Sequence, residues 1–201
     1  MHVMSKPESP ITTESISGII HPLDVFYSEA GLNLPPYTQI DPESVPEPYA
    51  GLLVHRTDMT PTLEKFHGQA IHLRVLRSWR KAGEYFREVV LVLDDNDEPV
   101  EFGAIKINLD LFSQVVRDHI LSEHQPLGHI LEQHKVTHRS EPNGFLRLAS
   151  DPFINRALNL SGAQVLYGRR NKLLDAPGRP LAEIVEILPP VRVKDTKRRE
   201  T

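Results

Sequence analysis

The chain has 201 residues, with 23 Lys and Arg against 27 Asp and Glu, and no cysteine. That length suffices for one hydrophobic core of ordinary size, and a net charge of −4 argues against a surface built for a phosphate backbone, so no nucleic-acid partner is expected. The lack of cysteine excludes a disulfide framework, a thiolate nucleophile and a zinc–cysteine site. No apolar run approaches the ~18 residues that span a bilayer, and no basic start leads into an apolar stretch, so a cytoplasmic protein without a membrane span or signal peptide is expected.

Residues 1–48 read as an arm. The first ~18 are polar and expected to be disordered. The next thirty carry Pro22, Pro35, Pro36, Pro42, Pro46 and Pro48, a density that opposes long helices and ladder pairing. Residues 49–190 read as a single domain and 191–201 as a charged tail.

Within the domain, residues 49–55 suggest a short helix. A second starts at Thr60 as N-cap, with Pro61 first and Leu63 and Phe66 facing inward. Residues 70–80 alternate, placing Ile71, Leu73, Val75, Arg77 and Trp79 on one side. A turn at 81–84, a strand at 85–93, a turn at 94–99 and a strand from 100 to about 107 follow. Helical spacing over 109–121 puts Leu111, Phe112, Val115, Val116 and Ile120 inward, and Pro126 opens another short helix carrying Leu127, Ile130 and Leu131. A fourth strand is expected at 145–148 and a short helix at 152–160. Two last strands flank the Pro- and Gly-containing turn at 175–180. The sum is an α+β fold: an antiparallel sheet of about six strands, with helices packed on one side and forming flaps over a buried site.

Charge falls where a core strand should have none. Arg77 accompanies Val75 and Trp79, Arg87 accompanies Val89, Leu91 and Leu93, Arg169 accompanies Val165, Tyr167 and Leu173, and Glu186 accompanies Ile184 and Leu188. An ion on an apolar face needs a partner, an exit to water or a ligand. Any one of them could snorkel from a strand end. Several on neighbouring strands, which lie about 4.8 Å apart, can converge on one cavity, and guanidinium groups grip carboxylates bidentately. Pattern alone therefore points to a pocket for a small organic anion. His119, His124, His129, His134 and His138 lack a carboxylate-rich zinc motif, and Pro126 and Gly128 interrupt their helix, so a solvated face and no metal are expected.

YGRR at 167–170, a hairpin with Gly178-Arg179-Pro180 and VEILPP at 185–190 resemble the C-terminal signature of the chorismate lyase family. DMT at 58–60 with Leu63 and Phe66, LRS at 76–78, FREVVL at 86–91 and PLG at 126–128 resemble further motifs in the same order. The resemblance implies flaps closed over a sequestered site where pyruvate is eliminated from chorismate to leave 4-hydroxybenzoate, with no cofactor. It places the family's carboxylate-binding arginine on Arg87, its glutamate near the ring hydroxyl on Glu186, and its flap residues on Met59 and Leu127. Chorismate has two carboxylates, so Arg77 or Arg169 would supply the second grip, and Glu186 would serve as base or hydroxyl orienter. The expected partner is a small-molecule substrate with a tightly held aromatic product; the oligomeric state is left open, with a monomer favoured.

The chain departs from the family pattern in about a dozen extra residues near 151–164 and in a turn at 175–180 one residue longer, which sets Glu183 against Glu186 for the acid role. It also has Gly103-Ala104 where an arginine often follows the glycine. The alternative is a non-catalytic domain of the same fold that binds or senses an aromatic acid, like the effector domains of some bacterial transcription regulators. Those normally follow a winged DNA-binding region, for which the first 50 residues are too short and proline-rich.

Overall fold

The computed structural model describes residues 18–191; the expectations for 1–17 and for the tail beyond 191 lie outside them. Seven strands form one antiparallel sheet: β1 (Tyr37–Ile40), β2 (Ile71–Lys81), β3 (Glu84–Leu93), β4 (Pro99–Asn108), β5 (Arg139–Ala149), β6 (Val165–Leu174) and β7 (Pro180–Leu188). Their order across the sheet is β1-β5-β6-β7-β4-β3-β2. The helices are α1 (Leu23–Glu29), α2 (Tyr49–Leu53), α3 (Met59–His67), α4 (Gln114–Leu121), α5 (Leu127–Gln133) and α6 (Pro152–Ala157). The α+β class holds. The strand beyond the expected six is β1, contributed by the proline-rich arm, which pairs with β5 at the sheet edge.

Local chemistry explains the joints. The β2–β3 hairpin turns through Ala82 (φ 49°) and Gly83 (φ 82°), both left-handed, which matches the twist of the flanking strands. A Cβ on Gly83 would also strike the Asp110 carboxylate. Asp58, in extended geometry, caps α3 in place of Thr60, which lies buried inside the helix; Pro61 is accordingly the third helical residue. The stretch 109–121 breaks into a 3-10 turn (Leu109–Leu111) and α4, which starts after Ser113. Phe66 and Val115, expected inside, are exposed at 45% and 59%. Helical spacing fixes which residues share a face but not how wide the buried stripe is.

Both faces of the sheet are covered. One packs on α2 and α3 through Leu53, Leu63, Leu73, Val89 and Leu91, and on α4 and α5 through Val116, Ile120, Ile130, Ile105 and Leu173. The other buries Val90, Phe102, Leu146 and Val185 under α1 and α6, through Leu23, Phe26, Ile154 and Leu158. Helices on one side only were expected; α1 comes from the arm and α6 from the extra residues near 151–164. These two additions interlock. The Tyr27 hydroxyl donates to Asp151 (2.8 Å), which also caps α6 by accepting from the Ile154 amide (2.8 Å), and Tyr27 meets Phe153 edge-to-face at 5.6 Å.

Candidate functional site

A cavity lies between the sheet and the first turns of α3 and α5. It holds about 550 Å³ of atom-free space, open solvent at the mouth included. Leu73, Val89, Leu91, Ile105, Leu173 and Ile184 make its floor and walls apolar. Met59 and Leu127, the first residues of α3 and α5, close it from above, with Thr60 and Gly128 beside them. Gly128 faces Thr60, and a Cβ there would make an ordinary contact with the Thr60 hydroxyl at 3.5 Å.

Six polar side chains interrupt the apolar lining: Arg87, Glu101, Glu186, Asn171, Thr60 and Asp58. Arg87 is 2% exposed, and its Nε and Nη1 have no hydrogen-bond partner. Burial disfavours its charged form, and the nearby Tyr85 and Glu123 act in the opposite sense without touching it. Glu123 itself is engaged: it accepts from the hydroxyls of Ser78 (2.6 Å) and Tyr85, which hold its carboxyl below the ordinary range. Arg87 thus points an unspent fork of donors into a mostly apolar space. It is the single lysine or arginine among the described residues that line the cavity.

Glu186 is directly opposite Arg169 in the β6–β7 ladder and accepts from its Nε. The rest of the Arg169 guanidinium is spent on the segment after α2: Nη1 donates to the carbonyls of Leu53 (3.3 Å) and His55 (3.1 Å), and Nη2 to that of Thr57 (3.3 Å). His55 Nδ1 also accepts from Nη1, and burial together with Arg169 pushes the imidazole down toward its neutral form. Arg169 therefore ties the loop before α3 to Glu186 from behind the cavity wall. A Cβ on Gly168 would sit 2.5 Å from the Glu186 carbonyl, so the bare strand there permits the close pairing.

The sequence-derived residues divide accordingly. Arg87, Glu186, Met59 and Leu127 meet in one cavity. Arg169 touches Glu186 but does not line the cavity, and its donors are taken. Arg77 is not brought to the site. A bulge at Leu76 shifts the register, with Val75 opposite Val89 but Arg77 opposite Glu88, so Arg77 and Trp79 turn to the face opposite Leu73. There Arg77 pairs with Glu88 (2.9 Å), donates to the Phe26 carbonyl (3.2 Å) and lies over the rings of Phe26 and Phe153. Glu183 also leaves the contest with Glu186, because it is bound to Lys106 and Arg170 (2.7 Å each) and does not line the cavity.

The histidines do not gather a metal-ligand set among the described residues. His134 pairs with His119 (2.9 Å), and His138 bridges Asp58 (2.9 Å) and the Val136 carbonyl (2.9 Å).

Sequence reading missed Glu101. It is 4% exposed, its Oε2 has no partner, and its carboxyl folds back over Gly103, which faces Glu186 across β4 and β7. Burial, then the Glu186 charge, raise its pKa well above the usual carboxylate value. Its signal was present, since alternation along β4 places Glu101 with Gly103, Ile105 and Ile107.

No protein-family model and no curated protein matches the chain. Solved structures do. PhnF from Mycobacterium smegmatis superposes with a TM-score of 0.53 at 9% identity, over 70% of this chain and 71% of that one. The ligand-binding domain of a protein assigned to the GntR family of transcriptional regulators, from Bordetella bronchiseptica, gives 0.45 at 16% identity, over 59% and 85%. The C-terminal domain of the histidine utilization repressor from Pseudomonas syringae pv. tomato gives 0.43 at 12%, over 65% and 99%. At these identities the likeness to PhnF speaks for a shared fold. No helix among the described residues is long and apolar enough to cross a membrane.

Proposed function

We propose that the cavity binds a small aromatic or cyclic monocarboxylate with a hydroxyl at the far end of the ring, and holds it without turnover as a sensing or carrying domain does. The observation behind this reading is the count of available cations. Arg87 is buried and unpartnered, whereas every nitrogen of Arg169 already has a partner and Arg77 lies on the other face. One guanidinium suits one carboxylate. The apolar walls suit a ring, and Glu186 is placed to accept from a hydroxyl on its far side. The amides of Met59 and Leu127 begin their helices, where no carbonyl of the same helix can accept from them. Helices closed over such a ligand would keep water from the Arg87 ion pair and strengthen it.

A second reading, elimination of pyruvate from chorismate, is favoured by the meeting of Arg87, Glu186, Met59 and Leu127 in a single cavity, as the resemblance to chorismate lyases requires. The enolpyruvyl carboxylate of such a substrate would then have no free cation of its own among the lining residues.

One experiment separates the readings. Purified protein is titrated with 4-hydroxybenzoate and, separately, incubated with chorismate while pyruvate is followed. A raised melting temperature with 4-hydroxybenzoate, about 2.7 kcal/mol of added stability at a hundredfold excess over Kd, with no pyruvate, is the expected result. Pyruvate release abolished by both Arg87→Ala and Glu186→Gln would install the lyase instead. Neither binding nor release would remove both.

A further inference from the structure

Two glutamates line the cavity where one would suffice to greet a ligand hydroxyl, and they are not equivalent. Glu186 has a cation: Arg169 donates to it from β6. Glu101 has none. It is buried, its Oε2 lacks any hydrogen-bond partner, and its carboxyl is drawn over Gly103 toward Glu186. Gly103 makes this possible, because a Cβ there would come within 3.0 Å of Glu101 Oε1 and 3.3 Å of Val89. The titratable groups that line the cavity around Glu101 are Arg87 on β3, Glu186 on β7 and Asp58 before α3, with Arg169 behind Glu186. Two carboxylates do not both stay ionised side by side in a dry space when only one has a cation, and the one without it takes the proton.

We propose that Glu101 is a specificity-determining residue, a neutral carboxyl that donates a hydrogen bond to the ligand oxygen whose own proton goes to Glu186. The proposal rests on reading the cavity as an aromatic-acid site and adds what that site selects. A hydroxyl both donates and accepts, so it satisfies Glu186 and Glu101 together. A bare ring edge satisfies neither, and an aromatic amine donates to Glu186 but accepts poorly from Glu101. A site with two buried polar groups discriminates strongly against an analogue that leaves them unpaired.

The test is calorimetric titration of the full chain with 4-hydroxybenzoate, 4-aminobenzoate and benzoate. Wild type should bind the hydroxy acid on the order of tenfold or more tightly than either analogue. Glu101→Gln, whose amide keeps a donor in the same place, should retain that preference. Glu101→Leu should lose about tenfold in affinity for 4-hydroxybenzoate and little for benzoate. The wild-type comparison stands even if Glu101→Leu fails to fold. Equal binding of 4-hydroxybenzoate and 4-aminobenzoate by wild type, or an unchanged preference in Glu101→Leu, would overturn the role of Glu101 while leaving the cavity an acid-binding site. Failure of wild type to bind any of the three would remove the cavity reading and this inference with it.

Discussion

Consecutive residues of β3 show how differently the two faces of the sheet treat buried charge. Arg87 points to the cavity and Glu88 to the side covered by α1 and α6, and both are almost wholly out of solvent. Glu88 has Arg77 at 2.9 Å, and Arg77 in turn donates to the Phe26 carbonyl and lies on two aromatic rings. Arg87 has nothing bonded to its Nε and Nη1. On the far face the charge is internal cement, locking the arm helix α1 onto the sheet. On the cavity face a donor fork and an acid are left open, an arrangement that only a ligand would complete. Glu88 also keeps a buried oxygen, Oε1, without a hydrogen-bond partner, so what separates the two is the counter-ion: Glu88 has one, and Arg87 has none.

That contrast can be broken by exchange. Arg77→Met would strip Glu88 of its cation and loosen α1, and should lower stability by about 2 kcal/mol. This is less than the ~3–5 kcal/mol of a fully buried pair, because Arg77 is 31% exposed. Thermal melting should show a fall of about 4–8 °C for a chain of this length, and affinity for 4-hydroxybenzoate should stay at the wild-type value. A loss of binding that matches the loss of stability would mean that the faces are not independent. Arg87→Met should do the reverse. With no internal partner to orphan, replacing the unpaired guanidinium by a flexible apolar chain should raise stability of the ligand-free protein by about 1 kcal/mol and abolish carboxylate binding. A destabilised Arg87→Met would show that Arg87 supports the fold.

The same two faces mark how far the sequence could be read. Arg87 and Glu186 were legible because an ion recurring in step with apolar residues on a strand is anomalous under simple alternation, and β3 and β7 keep that alternation through the site. Arg77 was placed on the wrong face because the bulge at Leu76 resets the alternation midway along β2, and no Gly or Pro announces it. Glu101 satisfied the rule that found Arg87, but it lies next to the turn at 94–99, where charge looks ordinary. The prolines of the arm argue against long helices and ladder pairing there. In the structure Pro22 precedes α1, Pro35 and Pro36 precede β1, and the seven residues of α1 contain none. The prolines bound the elements and do not forbid them. That α1 and α6 would share one face was beyond local patterning, since their contact joins residues more than a hundred positions apart, Tyr27 and Asp151 among them.

A smaller effect sharpens the comparison by pH. Glu101, pushed up by burial and then by the charge of Glu186, keeps its proton in the folded chain above the 4.5 at which an unperturbed glutamate loses it. The folded state then binds more protons than the unfolded one, so stability falls as pH rises from about that value through the raised pKa. Glu88 on the opposite face is raised too, chiefly by burial, but Arg77 opposes the shift. At the acid end the sign reverses. Lys106 and Arg170 outweigh burial to hold the Glu183 carboxyl low, so its contribution is present above 4.5 and is lost as pH falls through the lowered value. Glu101→Gln removes the first dependence and leaves the second. In urea melts between pH 4 and 8 the variant should run parallel to wild type in acid, then gain on it steadily as pH climbs. Glu88→Gln should gain less, because Arg77 already offsets part of what burial does to the Glu88 carboxylate. Parallel curves for Glu101→Gln across the whole range would mean that Glu101 is ionised in the folded protein, and the cavity would then carry two negative acids in place of one acid and one donor.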